Sequence, residues 1–327
     1  MPTEQIRAVV VTANGGPEVL EVLGRPMPEV GPAQLLVEVA ASGVNFIDVY
    51  RRQGVYPVPT PFVLGTECAG RVLAVGAEVT DVVPGDLVAT AAGSGTHATA
   101  ALIDADQAVP VPVAVSPELA AAAMLQGMTA HYLVNSTYAV TAGTEVLVHA
   151  AAGGVGQLLV QLAKAKGAHV IGTVGSAAKE QVASAAGADA VIRYDEEDDL
   201  AAAVRAASGG GVHVVYDGVG KSTFDASLAS LRRLGMLALF GGASGQVPPF
   251  DVQRLNSGGS LFLTRPTLVH YVATREDLLW RASDVLGAIA DGSLRISIGG
   301  RYGFERVGEA YQDLEARRTT GKLLIIP

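Results

Sequence analysis

Hydrophobic positions change their spacing along this chain. Through the first third they form short β-branched runs at residues 6–12, 34–41, 70–75 and 86–89. Turn-forming clusters separate them: Asn14-Gly15-Gly16-Pro17, Pro26-Met27-Pro28, Gly31-Pro32 and Pro84-Gly85. Short strands between such punctuation predict a compact, partly closed β-barrel. From Ser116 the texture becomes helical. Ser116 is placed as an N-cap and Pro117 in the first turn of an alanine-rich helix.

Strand and helix periods then alternate. An apolar strand beginning at Thr144 runs into the turn Ala151-Ala152-Gly153-Gly154-Val155-Gly156. A helical segment at 157–166 and a strand at 168–174 follow. Further helices are expected at 177–186, 199–207 and 223–233, with strands at 190–194, 212–216, 236–240 and 260–264. This order predicts a doubly wound parallel sheet of the α/β class. The tail reads as helices 275–290 and 306–317 and a last strand at 322–326.

The first β-α-β unit fits a dinucleotide. Glycines let the backbone turn tightly, and the amides opening the helix face a pyrophosphate. The motif departs from G-x-G-x-x-G at its first glycine, which is Ala151. NAD-binding folds place an acid about 20 residues further on, at the end of the second strand. Here that stretch is Gly172-Thr173-Val174-Gly175-Ser176, then Lys179, with no carboxylate to repel a 2′-phosphate. The cofactor expected is NADPH, with Lys179 as a solvated helix residue the alternative.

Composition narrows the class. The 327 residues are 49% hydrophobic, enough for a sizeable core. No uninterrupted apolar run approaches the ~20 residues of a membrane span. The N-terminus reads as a first strand rather than a leader. A single cysteine, Cys68, excludes an intrachain disulfide and fits a reducing cytoplasm. The net charge of −9 disfavours generic binding to nucleic acid or anionic membrane.

Several blocks carry a resemblance. They are Gly43-Val-Asn-Phe-Ile-Asp-Val-Tyr50 with Gly54-Val-Tyr-Pro57, Gly65-Thr-Glu-Cys-Ala-Gly70, Gln126-Gly-Met-Thr-Ala130 and the Ala-Ala-Gly-Gly-Val-Gly turn. Tyr216-Asp-Gly-Val-Gly220, Phe240-Gly-Gly-Ala-Ser-Gly245, Leu263-Thr-Arg-Pro266 and Gly321-Lys-Leu-Leu-Ile-Ile-Pro327 continue it. Together they resemble the zinc-independent quinone oxidoreductase branch, which includes zeta-crystallin, of the medium-chain dehydrogenase/reductase superfamily. The resemblance implies a GroES-like catalytic domain at 1–125, a Rossmann NADPH-binding domain at 126–264, and a tail at 265–327 that returns to the catalytic domain.

The resemblance also implies roles. Asn45, Asp48 and Tyr56 would face the substrate cleft. Alternatively Asn45 and Asp48 cap the short helix after Gly43, and Tyr56 packs in its loop. Thr129 would lie near the nicotinamide, and Gly153, Gly154 and Val155 would hold the pyrophosphate. Ser176, Lys179, Tyr194 and Arg317 would surround the 2′-phosphate, with an exposed helix-end arginine the alternative for Arg317. Val219, Phe240, Gly241, Ser244 and Thr264 would line the rest of the groove. Gly218 departs from a serine common in relatives, and residues 93–98 lack the family's aromatic.

Zinc-dependent relatives carry ligands near Asn45 and at Thr66 that this chain lacks, and the six histidines show no paired metal spacing. No metal is expected. Cys68 and His149 read as packed residues and Glu67 as a structural carboxylate. Without a Lewis acid the acceptor must be intrinsically electrophilic, which fits a quinone. The activity expected is NADPH-dependent quinone reduction by a cytoplasmic homodimer paired through the apolar edge at 260–264. Reduction of α,β-unsaturated carbonyls or enoyl thioesters is the alternative. An RNA-binding or structural role is a further one, opposed by the acidic balance and the intact nucleotide motif.

Overall fold

The computed structural model describes residues 5–327. The chain divides into two compact units, one of 1–125 with 274–327 and the other of 126–273. The first opens with β1 (Gln5–Val11), β2 (Leu20–Pro26) and β3 (Gln34–Gly43), then helix α1 (Phe46–Arg52). Strands β4 (Phe62–Val63), β5 (Glu67–Val75), β6 (Leu87–Thr90), β7 (Ala100–Asp104) and β8 (Val109–Pro110) follow. Helix α2 runs over Pro117–Tyr132. Strand β2 lies outside the runs expected from the sequence. Its residues are half-buried or exposed, so no clear alternation marks it. It pairs antiparallel with β1 along its whole length.

The second unit is a parallel sheet with helical crossovers. Its strands are β9 (Glu145–Val148), β10 (His169–Val174), β11 (Ala190–Arg193), β12 (Val212–Asp217), β13 (Leu231–Leu239) and β14 (Phe262–Thr264). Their order is β11-β10-β9-β12-β13-β14. The order reverses beside β9, between the β10 and β12 sides, which puts a ligand crevice beyond the carboxyl ends of these strands. Helices α3 (Gly154–Ala165), α4 (Ala177–Ala185), α5 (Leu200–Ala207) and α6 (Phe224–Ser230) connect the strands. Short helices α7 (Gln253–Ser257) and α8 (Leu268–Tyr271) flank β14. The core joins Leu147, Ile171, Val215 and Leu237 from four strands to Val204, Phe224 and Leu228 from helices.

Two boundaries differ from the sequence reading. The helix expected over 223–233 ends at Ser230, and β13 begins at Leu231. Leu231 turns into the same core as Leu237, while Arg232 and Arg233 stay exposed. The second unit runs on to Ala273 rather than ending at Thr264. Tyr271 explains this: its ring stacks on Tyr132 at 4.1 Å and its hydroxyl accepts from Thr137 within that unit.

The tail adds α9 (Arg275–Ala290), β15 (Ile298–Gly303), α10 (Val307–Glu315) and β16 (Lys322–Ile326). Strand β16 pairs antiparallel with β3, and β15 pairs parallel with β16. This completes a sheet ordered β15-β16-β3-β5-β6-β8, with β7 also on β3. Strand β15 was absent from the sequence reading because Gly299 and Gly300 break its pattern. Tyr302, Phe304, Val307 and Tyr311 from the tail bury against Val9, Val49 and Leu64. The helix expected to reach Arg317 stops at Glu315, and Arg317 takes a left-handed φ of 56° beyond it.

Candidate functional site

In the second unit the turn after β9 is built for close approach. Ala150 has φ 51°, and Gly153 donates to its carbonyl at 2.8 Å. A Cβ on Gly156 would lie 2.2 Å from the Ala150 carbonyl oxygen and 2.9 Å from Ala151 Cα. Only glycine lets α3 start so near the strand. The first amides of α3 have no carbonyl within the helix, so they and the helix dipole present an anion site. Ala151, where the motif has glycine, is accommodated by Gly172. A Cβ on Gly172 would meet the Ala151 methyl at 2.8 Å. The space the motif needs has been moved one strand over.

Beyond β10, Ser176 caps α4 and accepts from the Lys179 amide at 3.4 Å. Tyr194 follows β11, and its phenol lies so close to Gly175 that a Cβ there would be 2.5 Å away. Ser176 and Lys179 thus follow the end of β10 and Tyr194 the end of β11, with Glu180 beside Lys179 in the first turn of α4. Thr129 is buried on α2. Beyond β12 and β13, the loops carrying Val219, Phe240, Gly241 and Ser244 bond to each other. Ser244 donates from both its amide and its hydroxyl to the Val219 carbonyl. Thr264 ends β14 and is half-buried. Arg317 belongs to the other unit.

A buried network ties these strand ends together. The Asp217 Oδ1 accepts from the Val219 and Gly220 amides, and its Oδ2 from Thr223 and Ser227. Ser227 reaches His149 Nε2 at 3.0 Å, and His149 Nδ1 meets Thr173 at 2.8 Å. Burial lowers the His149 pKa, with Asp217 opposing. His149 therefore packs β9 against β10 and α6, as its position before the turn suggested.

The first unit holds a second polar cluster. Glu67 is wholly buried at the start of β5. Its Oε2 accepts from Lys322 Nζ at 2.5 Å and from Asn45 Nδ2 at 2.8 Å; its Oε1 accepts from the Leu125 amide at 2.6 Å. Lys322 also donates to Asn45 Oδ1 at 2.6 Å, and Asn45 Nδ2 to the Gly43 carbonyl at 3.1 Å. Asp48 accepts from the Asn45 amide at 3.1 Å and from Thr66 at 2.8 Å. Burial raises its carboxyl to about 6. His97 bridges Ser42 and Tyr311, and burial lowers it to about 3.

The three cleft candidates therefore separate. Asn45 and Asp48 are 3% and 0% exposed, and their side chains are engaged around the start of α1. Tyr56 is 45% exposed, with its ring edge-on to Tyr50 at 5.5 Å. Lys322 was not singled out in the sequence. Its position after Gly321, in a terminal strand, gave no hint that it would meet residues 255 and 277 positions away. Gly43 was the available signal: a Cβ there would lie 2.2 Å from Glu67 Oε2 and 2.7 Å from Lys322 Cε.

Comparisons with known proteins agree with this architecture. Residues 31–113 match the alcohol dehydrogenase GroES-like domain, and residues 154–279 match the zinc-binding dehydrogenase model. A quinone oxidoreductase from Salmonella typhimurium is 43% identical over 96% of this chain and 97% of its own length. The chain belongs to the quinone oxidoreductase branch of the medium-chain dehydrogenase/reductase superfamily. A mycobacterial protein solved in complex with NADPH is 48% identical with a TM-score of 0.96, covering 98% of this chain and 100% of that one. The Escherichia coli quinone oxidoreductase complexed with NADPH is 41% identical, with a TM-score of 0.96 and the same coverage. The fold is thus a GroES-like domain with a Rossmann sheet.

The zinc in one model's description does not fit these residues. Among the described residues no three His, Cys, Asp or Glu side chains gather as ligands. Glu67 Oε2 and Asn45 Oδ1 are both held by the Lys322 ammonium, and a second cation at those oxygens would be repelled by it.

Proposed function

We propose that this chain is an NADPH-dependent quinone reductase that works without a metal. The end of β10, where Gly175 and Ser176 stand in place of an acid and Lys179 follows, carries the choice of cofactor. Gly153, Gly154 and Val155 hold the pyrophosphate at the start of α3. Lys179 and the Ser176 hydroxyl bind the 2′-phosphate, with Arg317 assigned as a further cation. Thr129, Val219, Phe240, Gly241, Ser244 and Thr264 line the remaining groove. When bound, NADPH supplies a hydride from nicotinamide C4.

In the first unit, Asn45 and Asp48 act by position. They fix the start of α1 through Glu67, Thr66 and Lys322. Tyr56 is assigned the acceptor side, where its ring stacks or its phenol donates a proton to the reduced oxygen. A quinone suits this equipment, because it is electrophilic without a Lewis acid and its product oxygens accept protons readily.

The protein is assigned as a cytoplasmic homodimer. Strand β14 is the sheet's edge, and its Phe262 and Leu263 are 55% and 36% exposed, which supports pairing with a second copy. The lone cysteine fits a reducing compartment. No helix among the described residues is long and apolar enough to cross a membrane.

NADPH oxidation with a panel of acceptors tests the activity. Turnover with 1,4-benzoquinone or 9,10-phenanthrenequinone, and none with crotonyl thioesters or simple enones, is expected. The reverse pattern would make the chain an enone or enoyl-thioester reductase. Cofactor binding without any turnover would remove the enzymatic reading. Activity should survive dialysis against EDTA. Sedimentation should give a dimer that Phe262→Lys weakens.

A further inference from the structure

Two loops leave the carboxyl ends of β12 and β13 and lie against each other. Phe240 and Gly241 donate to the Asp217 carbonyl at 2.9 and 3.3 Å, Ala243 to the Gly218 carbonyl at 3.2 Å, and Ser244 to the Val219 carbonyl at 2.8 Å. Backbones this close leave no room for side chains between them. A Cβ on Gly241 would lie 2.5 Å from the Gly218 carbonyl oxygen. A Cβ on Gly218 would meet the Phe240 ring, 2.8 Å from Cζ and 2.9 Å from Cε2. The Phe240 ring thus rests on bare backbone at residue 218.

Gly218 does not sit in the left-handed region, so its φ does not itself forbid a side chain. What a side chain would displace is the far edge of the Phe240 ring. That ring is half-buried and stands outside the buried core of the unit. A methyl at 218 would therefore be met by a shift of the ring rather than by opening the core. Glycine at 218 therefore sets where the ring lies, and not whether the unit folds.

We propose that Gly218 is a positioning residue for the cofactor groove: by carrying no side chain, it seats the Phe240 ring as a fixed wall at the β12–β13 end of the crevice. This rests on the NADPH reading above. The wall lies on the β12 side of the point where strand order reverses, whereas Ser176 and Lys179 follow β10 on the other side. Displacing Phe240 should therefore weaken NADPH and NADH by the same factor, because both carry the same nicotinamide half. Preformed walls matter because ordering them on binding would be subtracted from affinity.

The test is a double-mutant cycle on the full chain, with Gly218→Ala, Phe240→Leu and the double variant. Dissociation constants for NADPH and NADH are read by fluorescence titration, and melting temperature reports the fold. Gly218→Ala should melt like wild type and weaken both cofactors about five-fold, within the range of coupling between contacting residues. In the Phe240→Leu background, whose shorter side chain clears the new methyl, the same substitution should cost less than about two-fold. Unchanged affinity in Gly218→Ala overturns the proposal. So does an equal loss in both backgrounds, which would place the effect in the backbone. In either case a wild type that binds NADPH leaves the functional reading standing. A wild type with no affinity for NADPH overturns that reading and this role together.

Discussion

The glycine-turn crevice of the second unit and the Glu67 cluster of the first solve opposite problems. The crevice is proposed to offer polar groups to a ligand: the helix-start amides of α3 and the residues that follow the β10 strand end. The cluster closes polar groups on one another. Glu67, Asn45 and Lys322 spend their hydrogen bonds internally and are each at most 3% exposed. Changes in the cluster should therefore move stability first, and changes in the crevice should move cofactor affinity first.

The sharpest break of that contrast is Lys322→Met. It leaves the Glu67 carboxylate buried without its cation, and removing one partner of a buried pair costs about 3–5 kcal/mol. Urea unfolding should show that loss, and adding Glu67→Gln should recover much of it. If Lys322→Met unfolds like wild type, the cluster is not what holds β16 to β3 and β5.

Next comes pH. The Asp48 carboxyl titrates near 6 in the folded chain, raised by burial from its ordinary value of 3.8. The folded state binds that proton more tightly than the unfolded state. The contribution is thus full below about pH 4, is lost as pH rises through about 6, and is flat above. Its size is on the order of 3 kcal/mol. Asp48→Asn should remove this slope from unfolding free energies measured between pH 4 and 7. A slope that persists in Asp48→Asn would belong to other groups.

Crevice substitutions should be milder and selective. Lys179→Ala should weaken NADPH about ten-fold, as expected for a lost hydrogen bond to a charged group, and leave NADH unchanged. Equal effects on both cofactors would remove Lys179 from the 2′-phosphate site. The smallest effect is Ser176→Ala, where loss of the α4 cap should cost about 1 kcal/mol of stability. That substitution also tests the contrast, because this crevice residue serves the fold as well as the ligand.

How much was legible follows the same division. The β-α-β turn could be read because each part is local: an apolar strand, glycines within a few residues, then a helical period. Lys179 and Ser176 could be named as candidates because they follow the strand end by a handful of positions. Even there, the sequence could not say why Ala151 is tolerated, since the answer is the missing Cβ of Gly172 on the neighbouring strand. Strand β15 went unseen because glycines carry no hydrophobic period. The end of α6 was misplaced because Leu231-Arg-Arg-Leu234 fits a helix until the core claims Leu231.

The sequence alone determined the alternation that makes a parallel sheet, the glycine turn after its first strand, and the lack of an acid directly after its second. These are set by neighbours in the chain, so they survive as pattern. Only the tertiary structure decided that Lys322 meets Glu67 and Asn45, that Asn45 and Asp48 turn inward while Tyr56 stays exposed, and that Gly218 seats Phe240. Such contacts depend on where distant backbones come to lie, and a pattern of hydrophobic and polar positions carries no record of that distance.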